Sequence, residues 1–232
     1  MNARVTYQLK ESIATIAMDD GKANVMSPQM LAELNGALDQ ACTDQAVVVL
    51  TGREGMFSAG FDLPVLAAGG PDAYQMLMSG FELAERLLSF PTPVVIACNG
   101  HALAMGAFLI LAADYRIGVD GAYKIGANEV AIGLTMPFCA IEVCRQRLAP
   151  AHFNRTVMNA EIYAPGDAVA AGFLDRVVAA SDLQNEALGI AAKLAKLNMA
   201  AHTATKLRAR EQTLKLVRQA IEADAVTFRA RG

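Results

Sequence analysis

Val47–Leu50 and Val94–Cys98 are short runs in which every residue is apolar, and each leads into a glycine-bearing loop. A strand with no polar residue on either side must be covered on both faces, as in a parallel sheet clothed by helices. Helical spacing fills the intervals. Ser27-Pro28 supplies an N-cap residue and a proline at the first helical position, and Met30, Leu31, Leu34, Ala37, Leu38 and Ala41 follow on one face. Pro71–Phe90 predicts a helix stopped by Pro91 and Pro93. Val5–Leu9 and Ile13–Met18, around Glu11-Ser12, predict a hairpin, and Tyr115–Val119, Tyr123–Ile125 and Val177-Val178 further strands. Met136-Pro137 opens a helix to about Gln146, Pro150 one to about Asn159, and Pro165-Gly166 one ending near Gly172. From Asp182 onward the pattern is helical, with a break near Asn198. The expectation is an α/β domain over residues 1–180 with a helical extension over 181–232.

Composition narrows the function classes. Apolar residues make up 54% of the 232, enough for one large core and for apolar surface buried between subunits. A net charge of −3 gives no global basic field, so neither nucleic acid nor an acidic membrane is an expected partner. Lys206, Arg208, Arg210, Lys215 and Arg218, interleaved with Glu211 and apolar residues, read as the solvated face of an amphipathic helix. The apolar stretch Ala102–Ala113 is shorter than the roughly 20 residues of a membrane span. MNARVTYQLKES shows no secretory signal, so a soluble cytoplasmic protein is expected. Cys42, Cys98, Cys139 and Cys144 lack CxxC spacing and read as buried small hydrophobes in a reducing compartment. His152 and His202 have no partners at metal-ligand spacing, so no metal is expected. Ser58, His101 and Asp114 could be imagined as a hydrolase triad, but FSAGF is not the GxSxG elbow.

Ligands in α/β folds sit beyond the carboxyl ends of strands. Here those ends carry GREGMFSAGFD, after Leu50, and NGHALAMG, after Cys98. Neither is a GxGxxG or GxxxxGK[ST] phosphate cradle. Each offers backbone N–H groups at a tight turn, the second at a helix start, and such groups suit an oxygen that becomes negative.

FSAGFDL (Phe57–Leu63), NGHALAMGAFLILAADYRIG (Asn99–Gly118) and GANEVAIGLTMP (Gly126–Pro137), in this order, resemble the crotonase (enoyl-CoA hydratase/isomerase) superfamily. The likeness extends from the hairpin through KANVMS (Lys22–Ser27) to APGDAVAAGFLDRVV (Ala164–Val178). It implies a spiral of strand-strand-helix units followed by a helical trimerisation region, hence a homotrimer or dimer of trimers acting on acyl-CoA thioesters. Coenzyme A would be part of the substrate, and no separate cofactor is implied. Phe61, after the glycine of AGF, would give one oxyanion-hole N–H, and Met105 the second. The family has a G-G-G-like stretch where this chain has Ala104-Met105-Gly106. Ala23, Val25, Ala59, Phe61, Asp62 and Leu63 would line the adenine and pantetheine path, and Lys22 is either a phosphate partner or a solvated turn lysine.

The resemblance also assigns the acid–base groups. Hydratases of the family use two glutamates. One follows the second donor by three residues, where this chain has Phe108, and the other falls at Glu129, in Asn128-Glu129 where the family has Pro-Glu. One carboxylate is enough to carry a proton from C2 to C4 of a 3-enoyl-CoA, whereas adding water is helped by two groups. Asn128-Glu129, DYRIG (Asp114–Gly118) and Met136-Pro137-Phe138 resemble the enoyl-CoA isomerase branch. The expected activity is a 3-enoyl-CoA to 2-enoyl-CoA isomerisation, with hydration or another crotonase reaction as the rival. A non-catalytic acyl-CoA binder is the reading from another class, and the retained Glu129 argues against it. In the helical extension Phe228 is the only aromatic residue.

Overall fold

The computed structural model describes residues 3–229. The last residues of the expected C-terminal helix, Ala230 to Gly232, lie outside them. The strands are β1 (Val5–Lys10), β2 (Ile13–Met18), β3 (Val47–Thr51), β4 (Gly55–Ser58), β5 (Val94–Cys98), β6 (Gly100–Leu103), β7 (Tyr115–Val119), β8 (Ile125–Gly126) and β9 (Arg176–Val178). The helices are α1 (Pro28–Thr43), α2 (Leu63–Ala68), α3 (Gly70–Ser89), α4 (Met105–Ala112), α5 (Phe138–Arg145), α6 (Pro150–Val157), α7 (Pro165–Ala171), α8 (Leu183–Leu194), α9 (Met199–Ala209) and α10 (Glu211–Arg229).

The strands form two sheets, β1-β2-β3-β5-β7-β9 and β4-β6-β8. The expected hairpin pairs β1 with β2 antiparallel, and every other pairing of named strands is parallel. Each turn of the chain gives one strand to the large sheet and the next to the small one before a helix returns it: β3-β4-α3, β5-β6-α4 and β7-β8-α5. This is the expected spiral of strand-strand-helix units.

The all-apolar strands are covered on both sides, as their composition requires. Val48, Leu50, Val94 and Ile96 pack into the main core with α1, α3 and α4. Val47, Val49, Val95 and Ala97 face the other way and are sealed by Leu183, Ala187 and Ala191 of α8. The helical extension therefore completes the core of its own chain.

Several expectations change. β4 and β6 read as loops because of their glycines, but those glycines let the strands approach: a Cβ on Gly100 would lie 1.9 Å from the carbonyl carbon of Gly55. The short α2 lies between the first glycine-bearing loop and the helix predicted from Pro71, and α4 begins at Met105. The basic stretch is not one solvated face. It spans α9 and α10, and its Lys206 is buried with Nζ 2.6 Å from Asp114, which Arg210 also pairs at 3.1 Å. A carboxylate that accepts the Val94 N–H inside the fold draws both cations inward. Cys98, Cys139 and Cys144 are buried, but Cys42 is exposed near the end of α1, where the helix meets solvent. No described helix is long and apolar enough to cross a membrane.

Candidate active site

The small sheet places the site. The carboxyl ends of its three strands lead directly to Phe61, to Met105 and to Glu129. Between them lies a cavity of about 320 Å³ lined by Phe61, Ala104, Phe108, Asn128 and Glu129 among others.

The first donor loop turns at Gly60, where φ is +96°. The Gly60 carbonyl accepts the Met26 N–H at 2.8 Å, so across the trans peptide the Phe61 N–H points the opposite way. The second loop turns at Ala104, whose φ of 50° and ψ of −124° are unusual for a residue with a Cβ. The Ala104 N–H is tied to the Gly126 carbonyl at 3.0 Å, and its carbonyl accepts from Ala107 and Phe108 to start α4. The Met105 N–H is thus a free group at a helix N-terminus. Neither the Phe61 nor the Met105 N–H has a hydrogen-bond partner among the described residues. The loops touch: a Cβ built on Gly60 would lie 2.7 Å from the Ala104 Cβ and 3.4 Å from the Met105 nitrogen. Two unpaired donors on abutting, strained turns make a place for an oxygen that gains negative charge.

Gly80 on α3 leaves room for the Phe61 ring, since a Cβ there would lie 2.4 Å from the ring. The ring then stands edge-on to Phe81, with centroids 5.8 Å apart. This fixes the backbone of the first donor.

Glu129 opens a 3-10 turn, Val130–Ile132, closed by the left-handed Gly133. The Glu129 carbonyl accepts from Ile132 and Leu134, which holds the turn against the cavity. The residue is 7% exposed, and its side-chain Oε2 has no partner among the described residues. Burial pushes the carboxyl up to about 7, with only its own backbone N–H pulling it down. Glu129 is the sole ionisable side chain in the cavity lining among the described residues. Phe108, 2% exposed, stands on α4 where a second carboxylate would be expected.

The remaining expected residues fall in two groups. Ala59 and Leu63 line the cavity, while Met105 is buried and follows Ala104, which lines it. Asp62 is the N-cap of α2, accepting from Val65 N–H, and lies off the cavity wall. Ala23 and Val25 run alongside the donor loop, with the Ala23 carbonyl accepting the Ala59 N–H, but also lie off the wall. Lys22 is exposed in the same turn, its carbonyl accepting from Arg53. The imagined triad is dispersed over other partners: Ser58 donates to the Asn24 carbonyl, His101 accepts from Lys124 and Asp114 holds Lys206. No cluster of possible metal ligands occurs among the described residues.

Three contributors were not anticipated. Asn24, buried with φ 49°, donates to the carbonyls of Met18 and Phe57 and pins the KANVMS turn beneath the first donor loop. Asn128 lines the cavity with an unpaired Oδ1. Phe228 reaches the cavity from α10, 6.4 Å from Phe81, and being the lone aromatic of its region was the signal available in the sequence.

A family model described as enoyl-CoA hydratase/isomerase matches residues 8–231. An enoyl-CoA hydratase/isomerase family protein from Pseudomonas syringae has a similar structure, with a TM-score of 0.94 at 48% identity, covering 96% of each chain. A Mycobacterium tuberculosis protein matches with a TM-score of 0.93 at 44% identity, over 97% of this chain and 99% of that one. One solved structure of it is described as an enoyl-CoA isomerase and another as a probable enoyl-CoA hydratase. The human mitochondrial enoyl-CoA delta isomerase 1 is 28% identical over 93% of this chain and 73% of its own length.

Proposed function

The chain belongs to the enoyl-CoA hydratase/isomerase family, and on that footing we propose that it converts 3-enoyl-CoA to 2-enoyl-CoA. The observation that carries this reading is the single carboxylate, Glu129, in a cavity where Phe108 takes the place of a second one. In this mechanism the thioester oxygen accepts from the N–H groups of Phe61 and Met105. Glu129, ionised, removes a proton from C2. The charge spreads over the dienolate and is held by the two donors. Glu129 then returns the proton to C4. A carboxyl poised near 7 serves both steps, since it must take the proton and give it back. No cofactor takes part beyond the coenzyme A carried by the substrate.

Hydration is the second reading, favoured by the unpaired Oδ1 of Asn128, which could hold a water beside Glu129. Turnover of matched 2-enoyl- and 3-enoyl-CoAs separates the two. A missing acid–base partner costs about 10²-fold or more, so isomerisation should exceed hydration of crotonyl-CoA by at least that factor in kcat/KM. Faster hydration than isomerisation would overturn the proposal.

The family reading also makes the active form a homotrimer or a dimer of trimers. Exposed apolar side chains support it, among them Met158, 63% exposed, and Val226, 70% exposed. Sedimentation should give a trimer or hexamer mass, and a monomer would contradict it.

A further inference from the structure

The cavity has a neighbour. A second hollow of about 170 Å³ lies against it, bounded by Gly69, Ala73 and Tyr74 from the start of α3 and the turn before it. Leu66, Leu77 and Phe228 line both spaces. Phe228 is held in this position by several contacts of α10. Arg218 pairs with Glu85 of α3. Asp224, one turn before Phe228, accepts the N–H groups of Phe138 and Cys139 at 3.0 and 2.8 Å and so caps α5 from across the fold. On the far side Arg229 lies 5.1 Å over the Tyr74 ring.

We propose that Phe228 is the specificity-determining partition that ends the acyl pocket, and that the hollow behind it, a recess partly open to solvent beside the exposed Gly69, is an extension able to take the end of a longer chain. The inference rests on reading the cavity as an acyl-CoA site. The cavity is near the lower end of the roughly 300–1,000 Å³ usual for ligand pockets, so the wall that ends it decides how much chain is buried. The partition is a single aromatic side chain flanked by two leucines. Replacing it by a small residue joins the two spaces, whereas changes at lining residues other than Phe228, Leu66 and Leu77 reshape only one of them. Its last-turn position on the C-terminal helix couples acyl-chain selection to the docking of α10 on α3 and α5.

The test uses dissociation constants of saturated acyl-CoAs of increasing length, which need no turnover and so do not depend on whether isomerisation is the reaction. For the unmodified protein, affinity should rise roughly four-fold per methylene and then level off where the chain meets Phe228. Phe228→Ala should move the levelling point outward by two or more methylenes, tightening the longest chains roughly ten-fold or more relative to the shortest. Phe228→Leu, which keeps most of the packing, should give a smaller shift in the same direction. Adding Ala73→Leu to Phe228→Ala refills the hollow and should return the original profile. An unchanged length profile in folded Phe228→Ala or Phe228→Leu overturns the partition, as does a gain that survives Ala73→Leu. Absence of chain-length dependence in the unmodified protein also overturns it. Failure of isomerisation with the shifted profile intact would leave the partition standing and remove only the isomerase reading.

Discussion

Glu129→Gln should abolish isomerisation and at the same time make the protein more stable at pH 8. Under the proposed mechanism the kinetic loss follows from removing the sole ionisable side chain that lines the cavity among the described residues, a group worth about 10²–10⁴-fold in rate. The stability gain follows from the same burial that makes the residue a good base. Glu129 ionises near its ordinary value of 4.5 when unfolded and at about 7 in the fold. Between those values the folded chain holds a proton that the unfolded chain has lost, so stability falls as pH rises through this window. Above pH 7 the full cost is present, and the gap from 4.5 to about 7 corresponds to about 3 kcal/mol at most. Glutamine is neutral at every pH and escapes it. Thermal melts should therefore show the variant several degrees more stable at pH 8 and little different at pH 4.5. The parent enzyme should lose kcat/KM below an apparent pKa near 7, where Glu129 is protonated in the free enzyme. A variant with undiminished turnover would remove Glu129 from the mechanism. A variant without a pH-dependent gain would show that the buried charge is relieved by groups beyond its own backbone N–H.

This linkage of function to cost explains why parts of the site were legible in the sequence and others were not. Glu129 could be named only through the register of the surrounding motif, because a glutamate between two strands and a helix has no periodicity of its own. The apolar strands β3 and β5 declared themselves, since full burial on both faces demands a continuous apolar run. Most of the small sheet did not. β8, found at Ile125–Gly126, was expected as a strand at Tyr123–Ile125, but β4 and β6 are four residues each and carry Gly55 and Gly100, which favour the reading of a turn. What makes them strands is the close approach of one backbone to another, a tertiary fact. The partition at Phe228 was hidden for a similar reason: Asp224 and Arg218 dock α10 through residues 85 or more positions away in the chain. The charged stretch from Lys206 to Arg218 was misread because local pattern shows where charges lie on a helix but not that Asp114 waits half-buried opposite them.

Gly60→Ala should cost about 10²–10³-fold in kcat while leaving a folded protein, the loss expected when one oxyanion donor is misplaced. The added methyl would lie 2.7 Å from the Ala104 Cβ and 3.2 Å from the Leu103 carbonyl oxygen, at a φ of +96° that alanine resists. Neither loop can yield easily. The Gly60 carbonyl is tied to Met26, the Ala104 N–H is tied to Gly126, and Ala104 already sits at φ 50°. The displacement therefore goes into the gap between the Phe61 and Met105 N–H groups, which must match an oxygen whose charge appears only in the transition state. A saturated acyl-CoA carries no such charge, so its affinity should fall far less than kcat. Ala104→Gly in the same chain removes the methyl that the new side chain at position 60 strikes and frees the second loop's backbone. It should recover much of the lost rate, a result that a general destabilisation at position 60 would not give. If Gly60→Ala weakens binding and turnover equally, or if Ala104→Gly restores nothing, the two backbone turns are not acting as one device, and the donors would have to be sought elsewhere along the edge of the small sheet.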